Sequence, residues 1–204
     1  MCNCMSKGSS YCYGQCENPC FSLGPFRATS ILCPPANTGS IIPFSSGTVP
    51  VVLTSLVGGV VDTVSTIGFG STVSGIIVVE NTIDLPLPTG STDSFSVPRA
   101  GKVTAISASF TETIGVAVVG NTTIRAQVYR APAGSNTFVA TNAFVDLTPA
   151  VTGAVAVGTT YEATANIANV PVTAGDRLVM VFSVSGASAA VVLTGTASAG
   201  ITIS

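Results

Sequence analysis

Six cysteines, Cys2, Cys4, Cys12, Cys16, Cys20 and Cys33, hold the clearest potential for chemistry in this 204-residue chain, and no cysteine follows Cys33. Thiols so spaced could ligate a metal or cross-link. The Cx3C steps between Cys12, Cys16 and Cys20 and the CxC step from Cys2 to Cys4 depart from the paired Cx2C knuckles of zinc sites, and the chain has no histidine. A disulfide framework that stabilises a small fold would run through that fold, whereas these thiols are confined to one end. Cross-linking, partly within this segment and partly between chains, is the expected role of all six, and no metal or other cofactor is expected.

The remaining ionisable groups form no catalytic motif. Without histidine, the usual general base near neutral pH and the His-dependent triads are missing. The nine acidic residues are scattered; Glu80, Asp84 and Asp93 lie closest together and read as flanking turns around Leu85-Pro86-Leu87-Pro88. No carboxylate pair for glycoside hydrolysis and no DxDxDG-type calcium loop can be identified. A Ser-Lys dyad would have to use Lys7 or Lys102, and Lys102 follows a Pro98-Arg99-Ala100-Gly101 turn, where a solvated lysine is ordinary. Phosphate loops and dinucleotide fingerprints are absent. Asn121-Thr122-Thr123 fits a glycosylation acceptor, a short pattern that arises often by chance. The expectation is a protein with no catalytic residues, not an enzyme.

Composition points to what must present the cysteines. Charged residues make up 8% of the chain, against about 25% in ordinary soluble domains. Ser, Thr, Ala, Gly and Asn must therefore cover much of the surface, as suits a chain that shares its surface with copies of itself or has a neutral, hydroxyl-rich exterior. The seven basic residues form no stripe, so nucleic acid is not an expected partner. Residues 49–61 are too short and too polar to span a bilayer, so membrane insertion is not expected. No apolar leader follows Met1, although the cysteine usage has an extracytoplasmic character.

The sequence divides into an N-terminal connector, 1–38, and a β domain, 39–204. The connector is rich in Gly, Ser, Asn and Pro, has no sustained period of 2 or 3.6, and is expected to be flexible until oxidised or docked. Tyr11, Tyr13, Phe21 and Phe26 are its candidate docking anchors. Beyond Pro34-Pro35, Val, Ile, Thr and Gly take over, in short apolar runs separated by turn residues, the pattern of an antiparallel sandwich. In 123–129, Ile124, Ala126 and Val128 face one way. In 176–184, Leu178, Met180, Phe182 and Val184 share a face, yet Val179 and Val181 make the opposite face apolar too, as beneath a neighbouring subunit or a loop of the same chain. Further strands are expected at 40–44, 74–79, 94–97, 103–113, 161–170, 189–196 and 200–203. The Gly-rich stretch 51–73 leaves irregular strands and a short buried helix both open.

From Ile41 onward, the phrases IIPFSSGTVP (41–50), GFGSTVSG (68–75), FSVPRAGKVTAISASF (95–110), AQVYRAPAGSNTF (126–138), VPVTAGDRLVMVFS (170–183) and the terminal SAGITIS stand in order. In these the chain resembles the C-terminal domain of the BclB-like exosporium glycoproteins of spore-forming Firmicutes. The resemblance implies an all-β jelly-roll sandwich of the tumour-necrosis-factor and complement type, a homotrimer at the spore surface, and synthesis in the mother cell without a signal peptide. It also departs from that family's pattern: no collagen-like Gly-X-Y stalk precedes the head. The connector instead is similar to that of bacterial endospore appendage subunits. Together these imply a structural subunit of a spore surface fibre, with trimers stacked head to tail through their arms and disulfides. Because the β domain lacks cysteine, covalent links must join arm to arm, and docking on a body would be non-covalent, by strand addition with 30–33 or 40–44. Two other roles remain open: a non-polymerising exosporium or coat trimer anchored by its cysteines to coat proteins, and a ligand-binding or adhesin head, for which Tyr129, Phe138 and Tyr161 are the aromatic nominees.

Overall fold

The computed structural model describes residues 20–23, 28–31, 39–55, 61–85, 93–186 and 190–204. Two compact units emerge, Met1–Thr38 and Gly39–Ser204. In the first, β1 (Cys20–Leu23) and β2 (Ala28–Ile31) pair antiparallel, with Cys20 opposite Ile31 and Phe21 opposite Ser30. The runs CFSL and ATSI, with Phe21, Thr29 and Ile31 as strand formers, make up these two short strands.

The second unit is all-β. Its strands are β3 (Ser40–Ser45), β4 (Val51–Ser55), β5 (Val61–Ile67), β6 (Thr72–Ile77), β7 (Thr82–Asp84), β8 (Phe95–Ser96), β9 (Gly101–Glu112), β10 (Val116–Ala131), β11 (Thr137–Asp146), β12 (Val151–Val155), β13 (Thr160–Val172), β14 (Arg177–Ser185) and β15 (Val191–Ile203). One layer runs β3-β15-β9-β13 and the other β5-β14-β10-β11, and every pairing within them is antiparallel. Strands distant in sequence thus lie side by side, β3 beside β15 and β5 beside β14, which is the winding of a jelly-roll-like sandwich. β4 ties the layers together, pairing with β15 on one side and β5 on the other.

Alternation along the strands fills the space between the layers. Ile106, Ala108 and Phe110 from β9, Leu193, Ala197 and Ile201 from β15, Ile124, Ala126 and Val128 from β10, and Leu178, Met180, Phe182 and Val184 from β14 form one buried cluster. Each large side chain so buried contributes about 1.5–3 kcal/mol by its removal from water. The faces expected for 123–129 and 176–184 are those observed. The opposite face of β14, with Val179 and Val181, is covered from within the chain. Val64, Ile76, Ile83, Leu85 and Phe138 pack there with Tyr129 in a second cluster.

The described residues of the Gly-rich stretch 51–73 contain strands β4, β5 and the start of β6, and no helix. The expected strands 189–196 and 200–203 are joined, from Val191 onward, in one continuous strand, β15 (Val191–Ile203). Strands β7, β11 and β12 are not among the expected elements.

Candidate assembly face

Outward-facing positions on β3, β15, β9 and β13 come into register as rows of small residues. One row reads Pro43, Gly200, Ser107 and Thr164; the next Ser45, Ser198, Ser109 and Glu162; a third Thr196, Thr111 and Thr160. The period of 2 that sends Ile106, Ala108 and Phe110 inward sends Ser107, Ser109 and Thr111 outward. Their hydroxyls satisfy one another across strands: Ser107 with Thr164 at 2.7 Å, Ser109 with Ser198 at 2.9 Å and Thr111 with Thr160 at 2.9 Å. The charged side chains that these four strands turn outward are Lys102 and Glu162. Ile41, at one end of the face, is 76% exposed.

Gly200, Ser107 and Thr164 of the first row and Ser198 and Ser109 of the second line an open groove of about 620 Å³, walled by Thr148, Pro149 and Glu162. Thr148 holds this wall against β13: its N–H donates to the Glu162 carbonyl at 3.2 Å, and the Glu162 N–H donates back at 3.1 Å. Apart from this groove, the face consists of short side chains whose hydroxyls are bonded to one another. Chemically it offers a nearly neutral, hydroxyl-bearing surface, and no nucleophile–base pair.

Carboxylates that sequence left scattered fall into distinct settings. Asp84 accepts a hydrogen bond from the Thr137 hydroxyl at 2.6 Å, and Glu80 lies in the turn before β7. Asp93 is fully buried and accepts from the Ser71 hydroxyl at 2.5 Å and the Thr66 hydroxyl at 3.2 Å. Gly68 is tight against it, since a β-carbon there would lie 2.8 Å from the Asp93 Cα. Asp176, also buried, accepts from the Thr173 N–H at 2.8 Å.

Glu112 is the exception. It is 1% exposed, and neither side-chain oxygen has a hydrogen-bond partner. Burial pushes its carboxyl up to about 7, with the Thr194 backbone offsetting a little of this without completing a hydrogen bond. Burial also raises the Tyr161 phenol, and the Glu112 charge adds to it. Sequence reasoning counted Glu112 only among dispersed acids, although the alternation Ile106, Ala108, Phe110 could have placed it inward.

Of the thiols and anchors expected to link and dock the arm, Cys2, Cys4, Cys12, Cys16, Cys33, Tyr11, Tyr13 and Phe26 lie outside the described residues. Cys20 and Phe21 fall in β1. Residues 40–44, one of two segments expected to add to a neighbour's sheet, already pair with β15 of their own chain through one edge. The aromatic nominees for a ligand site are corrected: Tyr129, Phe138 and Tyr161 are all buried, Tyr161 between the layers and Tyr129 and Phe138 in the second cluster that covers the other face of β14. No group of three or more His, Cys, Asp or Glu able to hold a metal occurs among the described residues. No helix among them is long and apolar enough to cross a membrane.

No protein-family model matches the chain. It is 30% identical over 152 residues, 70% of its length, to collagen-like protein 1 of Acanthamoeba polyphaga mimivirus, and spans 16% of that protein. Among solved structures it is similar to a chain of Broad Bean Stain Virus determined by cryo-electron microscopy. That likeness has a TM-score of 0.29 and 10% identity and covers 86% of this chain and 91% of the viral one. At such a distance no functional inference passes between the two.

Proposed function

We propose that the chain is a structural subunit of a bacterial spore surface fibre, whose bodies associate as homotrimers through the hydroxyl face and are linked in series by the cysteine-bearing arms. The hydroxyl face carries this reading. Burying a polar surface is costly when its groups lose water without replacement, but these hydroxyls are already paired with one another. With so few charges on the face, self-association meets little desolvation penalty and little repulsion.

The arms would supply growth along the fibre. A closed three-fold contact ends where it begins, so extension needs a second, head-to-tail contact. Three arms on one trimer engaging the next would act together at high effective concentration. The similarity to a collagen-like protein agrees with a head domain displayed on an elongated structural molecule. The resemblance to exosporium glycoproteins supports a position at the spore surface and synthesis in the mother cell.

Two measurements on the purified full chain test the reading. Sedimentation should give trimers that become folded monomers when Ser109→Arg and Ser198→Arg place cations on the face. Negative-stain microscopy should show fibres that shorten to trimers under strong reductant. Fibres unchanged by reductant would assign continuity to arm docking, with disulfides as reinforcement. Trimers alone in both conditions would replace the fibre by a coat trimer anchored through its cysteines, and monomers throughout would overturn the assembly face itself.

A further inference from the structure

Glu112 ends β9 at one extremity of the sandwich, where its carboxyl points between the layers without a hydrogen-bond partner. Such a group needs a reason, because a buried carboxylate is tolerated only when paired, bonded or neutral. No compensating cation is supplied by the elements around it. β12, β15, β4, the turns 113–115 and 156–159, and residues 116–124 of β10 contain no charged residue at all. Lys102 sits at the opposite end of β9, Asp146 on β11 is bonded to Arg125, and Glu162 on β13 faces outward. Tyr161 is the ionisable group that faces Glu112 among the described side chains, and its charge would repel.

The strand end that bears Glu112 is also a junction. The Glu112 N–H donates to the Thr159 carbonyl at 2.9 Å, and its carbonyl accepts from the Gly158 N–H at 2.8 Å. Thr113 donates to the Thr194 carbonyl at 2.9 Å, so one residue pair clasps the β12–β13 turn and β15 together. Apolar side chains stand exposed around it: Ile114 at 59%, Val157 at 66% and Val192 at 53%.

We propose that this end of the sandwich is a proton-operated latch, closed while the Glu112 carboxyl holds its proton and loosened when the proton leaves. An ionised Glu112 has no cation to pair with in place, so it reaches water by parting the Glu112–Gly158–Thr159 clasp, which opens turns 113–115 and 156–159 and uncovers apolar surface between Val118, Val155 and Leu193. Burial weakens the Glu112 acid, raising its pKa to about 7, so the change falls near neutral pH. The latch belongs to the body of each subunit and does not depend on fibre formation.

Hydrogen exchange of the full chain, measured by mass spectrometry at pH 5.5 and 8.5 and corrected for intrinsic rates, tests this. Peptides covering 113–119 and 155–159 should open about tenfold more at the higher pH, while the core of β14 stays protected. Glu112→Gln, which keeps the shape and cannot ionise, should abolish the difference. Equal opening at both pH values in the natural protein, or the same pH response in Glu112→Gln, overturns the proposal. If Glu112→Gln does not fold, carbon-13 titration of the Glu112 carboxyl in the natural chain decides. A midpoint near 7 that coincides with the loss of protection supports the latch, and a midpoint near 4.5 overturns it.

Discussion

Gly195 of β15 lies against the ring of Phe110 on β9: a β-carbon on the glycine would stand 2.7 Å from the phenyl Cζ. Phe110 is fully buried, so its ring has nowhere to swing. The absence of a side chain at residue 195 leaves room both for this ring and for the Thr111 carbonyl of the neighbouring strand, which lies closer still. Gly195→Ala should lower stability by about 1–3 kcal/mol through overpacking, read as a lower denaturant midpoint with an unchanged slope. Adding Phe110→Leu should recover only the ring's share of the loss, since the Thr111 carbonyl still crowds the new methyl, and even that share is a coupling that two independent sites would not show.

Asp93 should be the most sensitive polar position in the body. Asp93→Ala leaves the buried Thr66 hydroxyl and the Ser71 hydroxyl without their acceptor and should cost about 1–3 kcal/mol. Asp93→Asn keeps one acceptor oxygen and should cost less. Thermal unfolding of the two variants side by side gives the order.

The ion pair of Arg125 and Asp146, at 2.7 Å, is more than a third exposed on both sides. Asp146→Asn should therefore change stability by less than about 1 kcal/mol. Arg125→Ala should cost more than Asp146→Asn, because the guanidinium also lies over the Phe144 ring at 4.2 Å. Equal effects would mean that the stacking contributes nothing.

Stability should fall as the solution becomes less acidic. Glu112 ordinarily titrates near 4.5 and in the fold near 7, so the folded state holds the proton more tightly. Its stabilising share is complete below about pH 4.5, declines as pH rises, and is lost above 7. The difference is on the order of 3 kcal/mol. Melting temperature should drop between pH 5 and pH 8 in the natural protein and remain nearly level in Glu112→Gln.

Much of the sandwich was legible because its strands alternate. Ile124, Ala126 and Val128, and the four apolar residues from Leu178 to Val184, announce their faces by period alone. β15 was divided in two because Ser198, Ala199 and Gly200 blur the alternation, yet small residues are what that stretch of the outward face consists of. β11 escaped notice because its pairing with β10 slips between Gln127 and Tyr129, which breaks a simple period. Tyr161 shares the inward period of β13, whereas Tyr129 faces away from the side of Val128 and is buried by the second cluster, which no period within β10 reveals. The same alternation that settles the core would have set Glu112 inside it.

β3 joins the body along a ladder from Ser40 opposite Ile203 to Ser45 opposite Ser198, the strand that directly follows Gly39. Its hydrogen bonds lie across the strand axis. A pull on Gly39 along that axis therefore strains the whole ladder simultaneously, instead of peeling one bond after another. In a tethered particle exposed to drag or abrasion, that makes the first strand of the body a shear-loaded joint, whose tensile strength is set by its length.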